Sequence, residues 1–121
     1  MALTVLICDD SLFARNQLKK SLPADLDAEI VTASDGYQAL QILSSQEIGL
    51  IFLDLTMPKL DGIGVLEAIK SAQLDCFVIV VSADIQPQMQ QRVMELGALA
   101  FIQKPAKTET ISEILHMYGL I

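Results

Sequence analysis

Five short apolar runs punctuate the chain, at 4–8, 29–33, 50–53, 77–81 and 98–102. The first, third and fourth are near-continuous, rich in β-branched or bulky apolar residues, and lack polar alternation. Strands buried on both faces have this signature, because a parallel sheet covered by helices leaves neither face in water. Between the runs the apolar period changes. Leu12 and Arg15 open a stripe continued by Leu18 and Leu22, with Ser11 placed as its N-cap. Tyr37, Leu40 and Leu43 share a helical face, and so do Ile63, Leu66 and Ile69. Met89, Val93 and Leu96 form a fourth stripe. Pro87 fits its first turn, where a missing N–H costs nothing, and Gly97 follows as a C′ residue. Ile111, Ile114, Leu115 and Tyr118 mark a last helix over 109–118. Strand-then-helix, repeated five times, predicts an α/β fold with a parallel sheet and helices on both faces. Right-handed crossovers restrict its connections. No linker, charge block or low-complexity tract divides the chain, so one domain is expected over 1–121.

Ligands of open parallel sheets bind outside the carboxyl ends of the strands. The residues that follow each run are therefore the candidates for chemistry. They are Asp9, Asp10 and Ser11; Ser34, Asp35 and Gly36; Asp54 with Leu55-Thr56-Met57-Pro58-Lys59-Leu60-Asp61-Gly62; Ser82, Ala83 and Asp84; and Gln103, Lys104 and Pro105. Each has a plain structural reading alone. Asp10 and Ser11 can cap a helix, Asp54 can end a strand before a proline turn, Ser82 can be an N-cap, and Lys104 can be solvated in a loop.

Their shared edge changes the picture. Three carboxylates brought together repel and cannot all stay ionised at pH 7 without a cation. Oxygen donors with no His or Cys nearby favour a hard ion such as Mg²⁺, which takes one or two carboxylates plus phosphate. The constellation suits phosphoryl transfer: Lys104 supplies a point positive charge and Ser82 a hydrogen bond to a phosphoryl oxygen. A carboxylate can itself be the nucleophile, giving an aspartyl phosphate. Asp54 is the best candidate, because its strand is the one expected to lie centrally.

Composition narrows the function classes. With 121 residues, 52% hydrophobic and 19% charged, the chain suits one well-cored domain and excludes disorder. A formal charge of -7 argues against direct nucleic-acid binding and against an anionic membrane surface. The apolar runs are far shorter than the roughly 18 residues of a membrane span. No basic residue precedes the first run, so a signal peptide is not expected. Cys8 and Cys76 form no zinc set and read as buried thiols of a reducing, cytoplasmic protein. His116 reads as a surface residue of the last helix. Met57, Met89, Met94 and Met117 read as packing, although Met94 and Met117 fall in the last two helices.

The segments Cys8-Asp9-Asp10-Ser11, Asp54 through Gly62, Val81-Ser82-Ala83 and Lys104-Pro105, in this order and spacing, resemble the receiver domains of two-component response regulators. The likeness covers the whole chain and is closest in kind to chemotaxis regulators. It implies a flavodoxin-like (βα)5 fold with a five-stranded parallel sheet in the order 2-1-3-4-5. It also implies that Asp54 is the phosphoacceptor for a histidine kinase or phosphotransfer protein. By the same resemblance, Asp10 binds Mg²⁺ directly, Asp9 acts largely through water, and the Thr56 carbonyl is a third ligand beside Asp54. Lys104 matches the family's lysine, followed by a cis bond to Pro105.

Ser82 matches the switch hydroxyl, more often Thr, and Phe101 the aromatic switch position, often Tyr. A Phe can turn inward but has no hydroxyl to anchor either state. Ala106 departs from the bulkier apolar residue common after this proline. The surface of the fourth helix, fifth strand and fifth helix is then expected to meet an output partner, a fused effector or a second copy. Such a protein is no enzyme beyond its own phosphotransfer and dephosphorylation. The alternative is a small Mg²⁺-dependent aspartyl-phosphate phosphatase of the haloacid-dehalogenase type. That family wants an Asp two residues after the nucleophile, where this chain has Thr56. A flavin or dinucleotide binder is disfavoured by the lack of a Gly-rich phosphate loop after the first run.

Overall fold

The computed structural model describes residues 3–121; Met1 and Ala2, included in the expected domain and the leader reading, lie outside the described residues. The elements alternate as β1 (Leu3–Cys8), α1 (Leu12–Ser21), β2 (Ala28–Ala33), α2 (Gly36–Ser45), β3 (Leu50–Leu53), α3 (Gly62–Ala72), β4 (Phe77–Ser82), α4 (Pro87–Glu95), β5 (Ala100–Gln103) and α5 (Thr108–Met117). All strand pairs are parallel and the order is β2-β1-β3-β4-β5. This is the flavodoxin-like arrangement, with β1 and β3 adjacent where the strand order reverses.

The continuous apolar runs form the central strands because both of their faces are covered. Leu6, Cys8, Ile51, Leu53, Val78 and Val80 face a core completed by α2, α3 and α4. Val5, Ile7, Leu50, Phe52, Ile79 and Val81 face a second core completed by α1 and α5, chiefly through Ile111 and Leu115. Neighbouring residues of one strand thus enter different cores, as the pleat requires.

Three stripe residues differ from expectation. Leu12 and Tyr37 are 64% and 57% exposed, and Tyr118 is also exposed. Each stands in the first or last turn of its helix or just beyond. The fifth strand also begins later than its apolar run. Gly97 takes φ 103°, and the N–H groups of Gly97 and Ala98 donate to the carbonyls of Met94 and Val93. Those residues close α4 in a Schellman-type turn, so they cannot start β5. No helix is long and apolar enough to cross a membrane among the described residues.

Candidate functional site at the carboxyl edge

The sheet's own hydrogen bonding delivers the carboxylates. The Asp9 N–H donates to the Ala33 carbonyl at 3.1 Å, and the Asp54 N–H donates to the Cys8 carbonyl at 2.9 Å. Both residues therefore continue the ladder just past the strand ends. Asp9 and Asp54 are 6% and 7% exposed, whereas Asp10 is exposed. Carboxylate oxygens of Asp9, Asp10 and Asp54 lie within 4.8 Å of one another. From the other side, the Lys104 N–H donates to the Ser82 carbonyl at 2.9 Å and sets the side chain across the pocket. Lys104 Nζ donates to Asp9 Oδ2 at 2.7 Å and lies 3.4 Å from Asp54 Oδ1. The Lys104–Pro105 peptide bond is cis.

The turn between β1 and α1 is tied at several points. The Ser11 N–H donates to Asp9 Oδ1 at 3.0 Å, while Ser11 Oγ accepts from the Ala14 N–H at 3.2 Å and caps α1. Arg15 Nη1 donates to the Asp9 carbonyl at 2.7 Å. After β3, the Thr56 backbone faces the Asp54 carboxylate and favours its charged form. Gly62 is required there: a Cβ would collide with the Asp54 carbonyl and come within 2.8 Å of the Leu55 Cα. Asp61 accepts from the Gly64 N–H at 2.9 Å and so caps α3.

Charge is unevenly balanced. Burial pushes the Asp54 carboxyl up from its ordinary value, the Lys104 charge pulls it down, and Asp9 pushes it up again, with a net rise. Burial alone would lower Lys104, but its hydrogen bond to Asp9 and the charges of Asp54 and Asp9 raise it overall. One ammonium faces three carboxylates, so the cluster stays net negative. An oxygen-only donor set of this charge fits a hard cation.

Ser82 ends β4, and Phe101 lies in the neighbouring β5. Ser82 is fully buried, and its Oγ accepts from the Asp84 N–H at 3.0 Å. Asp84 Oδ1 in turn accepts from the Gln86 N–H at 3.1 Å, at the start of α4. Phe101 pairs with Val80 across the sheet and is half-buried against the α2–α3–α4 core. His116 is exposed on α5, its Nδ1 2.9 Å from the Ser112 carbonyl oxygen, and is not part of the cluster. A cavity of about 270 Å³ runs from Asp54 and Lys104 between α1 and Ala106, over Leu18, Phe52 and Val81. The small Ala106 side chain leaves that space open.

Residues 5–116 match the family described as the response regulator receiver domain. The chain belongs to that family. A chemotaxis protein CheY from Bacillus subtilis is 32% identical over 116 residues, covering 96% of this chain and 97% of its own. A protein-glutamate methylesterase/protein-glutamine glutaminase from Methanospirillum hungatei is 39% identical over 115 residues, or 91% of this chain. The chain spans only 33% of that relative's length, so the match does not cover most of that protein. Among solved structures, the CheY of a CheX–CheY–beryllofluoride–magnesium complex from Borrelia burgdorferi is similar, with a TM-score of 0.85 and 32% identity. That alignment covers 97% of this chain and 89% of the other. As a receiver domain, the protein acts in two-component signalling, and the phosphatase alternative has no support.

Asp9, Asp10, Asp54, Lys104 and Ser82 lie at the carboxyl edge of the sheet, whereas Phe101 lies within β5. Arg15 is the site residue that sequence reasoning missed. Its only signal is a charged residue placed within an otherwise apolar stripe.

Proposed function

We propose that Asp54 accepts a phosphoryl group from the phosphohistidine of a sensor histidine kinase or phosphotransfer protein. The observation that carries this reading is Lys104 Nζ, 2.7 Å from Asp9 and 3.4 Å from Asp54 inside a three-carboxylate cluster. Asp10, exposed at the cluster, would ligate Mg²⁺ directly and Asp9 through water, with Asp54 and the Thr56 carbonyl completing the protein ligands. Mg²⁺ held by these residues would supply positive charge against the transferred phosphoryl oxygens.

Burial makes the Asp54 carboxylate more basic than one in water, and hence a better nucleophile. An Asp54 carboxylate oxygen forms the new bond to phosphorus as the phosphorus–nitrogen bond breaks, and the imidazole leaves with its electron pair. Lys104 reaches both carboxylates, so its charge can follow the phosphoryl oxygens held on Asp54. The resemblance to solved beryllofluoride- and magnesium-bound CheY supports this assignment.

The Ser82 hydroxyl is the coupling group. Turning it toward the phosphoryl oxygens releases the Asp84 N–H, and through the Asp84–Gln86 bond it loosens the start of α4. Phe101 can then fill the space beside β4. The face made by α4, β5 and α5 would present the state to an output partner, a fused effector or a second copy. On this reading the domain is cytoplasmic, does not bind nucleic acid itself, and catalyses only its own phosphotransfer and dephosphorylation.

The test is labelling with Mg²⁺ and a small phosphodonor. The protein should gain one acid-stable, hydroxylamine-labile phosphoryl group, as a mixed anhydride does, and Asp54→Asn should abolish it. Labelling of Asp54→Asn at the parent rate would overturn the assignment.

A further inference from the structure

We infer that Arg15 is a positioning residue for the acidic pair, holding the Asp9–Asp10 turn in the shape that lets Asp10 reach a cation. The inference rests on the reading that Asp9, Asp10 and Asp54 hold Mg²⁺. The Arg15 guanidinium reaches back from the first turn of α1 and donates to the Asp9 carbonyl at 2.7 Å, a short charge-assisted bond. That carbonyl belongs to the peptide linking Asp9 to Asp10, so fixing it fixes where the Asp10 backbone leaves the strand.

The side-chain contacts of Asp9 bound this turn, but neither takes up the Asp9 carbonyl oxygen. Ser11 and Lys104 hold the two oxygens of the Asp9 carboxylate, Oδ1 at 3.0 Å and Oδ2 at 2.7 Å. Neither touches the carbonyl. Nor does apolar packing pin the turn: no residue of α1 is fully buried, and Leu12 and Phe13 beside the turn are largely exposed. Asp10 itself is exposed and makes no side-chain hydrogen bond among the described residues, so the course of its backbone sets where its carboxylate can reach. Groups that orient a metal's ligands from outside are worth about 10- to 100-fold in affinity.

Arg15 also carries a positive charge toward a cation site, and this gives the test a decisive sign. As a charge, Arg15 repels Mg²⁺, so removing it would tighten binding. As a positioner, Arg15 favours Mg²⁺, so removing it weakens binding.

Mg²⁺ affinity is measured by calorimetry on the parent, Arg15→Gln and Arg15→Lys, with melting temperatures and amide NMR spectra taken without metal. Arg15→Gln should bind Mg²⁺ about tenfold more weakly, at the low end of that range because the lost repulsion offsets part of the loss. Arg15→Lys keeps the charge and one donor, so it should fall between Gln and the parent. Without metal, the Asp10 and Ser11 amide signals should shift in Arg15→Gln while those of α3 stay in place. Equal or tighter binding by Arg15→Gln, in a parent that binds Mg²⁺, would overturn the role of Arg15 alone. A parent that binds no Mg²⁺ would overturn the metal reading and this inference with it. If Arg15→Gln fails to fold, Arg15→Lys decides: weaker Mg²⁺ binding at an unchanged melting temperature supports the inference, and parent affinity refutes it.

Discussion

Helices α3 and α4 cover the same face of the sheet but are attached to it very differently. α3 buries Gly62, Val65, Leu66 and Ile69, is capped by Asp61, and ends at Gln73 in a left-handed conformation at φ 53°. α4 fully buries only Val93, with Met89 partly buried against the same core, starts at Gln86 with no side-chain cap, and is rich in glutamine. Gly62, at the head of α3, touches the backbone of Asp54 and Leu55, so α3 fixes the loop that carries Asp54. α4 is joined to the site mainly through Ser82, Asp84 and Gln86. Chemistry needs carboxylates held in one geometry, whereas signalling needs an element that moves at small energetic cost. Segments with few buried apolar contacts open at the lowest free energies.

The largest expected effects come from cutting each helix loose. Leu66→Ala should destabilise the fold by about 3 kcal/mol, since a fully buried leucine leaves a cavity in α3. Val93→Ala should cost about 2 kcal/mol. The two should also differ in kind: denaturant melts of Leu66→Ala should lose the whole domain, while Val93→Ala should raise hydrogen exchange in α4 more than elsewhere. Equal exchange across both helices in Val93→Ala would erase the contrast.

Caps give a smaller, opposed pair. Asp61→Ala should destabilise by about 1 kcal/mol through loss of the bond to the Gly64 N–H. Gln86→Ser should stabilise by about 0.5 kcal/mol by giving α4 the cap it lacks, and should blunt the response of α4 to phosphorylation. Both are read from urea midpoints.

The fold was legible because its signal is one of burial. Runs such as 50–53 and 77–81 read as strands covered on both faces, and their alternation with helical stripes pointed to a parallel sheet. The carboxyl-edge rule then gathered Asp9, Asp10, Asp54, Ser82 and Lys104 without any knowledge of side-chain direction. Periodicity overstated burial. Leu12, Tyr37 and Tyr118 lie on apolar stripes yet stay exposed at the helix ends. It also missed the role of Arg15: a charge within an apolar stripe marks the position but does not show that its side chain bonds a backbone carbonyl six residues earlier. The ends of α4 and β5 were blurred for a related reason: Gly97 and Ala98 are apolar or small, but their N–H groups are used in closing the helix.

The smallest expected effect separates the two thiols. Cys8 is buried within β1, and burial first, with Asp9 second, pushes it up to about 12. Cys76, before β4, is half-buried and also raised, mainly by burial. A group raised in this way carries almost no thiolate at pH 8, and rising pH exposes it only as its folded pKa is approached. Iodoacetamide at pH 8 should therefore label Cys76 slowly and Cys8 only on unfolding. Mass spectrometry of peptic fragments would show it.

The central claim is that the site is rigid through α3 and speaks through α4. Hydrogen exchange with and without beryllofluoride and Mg²⁺ tests it most directly, read peptide by peptide. Exchange should change across residues 82–103, covering Ser82, α4 and β5, with little change in α3 beyond its first turn. In Ser82→Ala the pocket should still respond while the change in α4 and β5 is lost. A response confined to the acidic pocket, or one as large in α3 as in α4, would contradict the account.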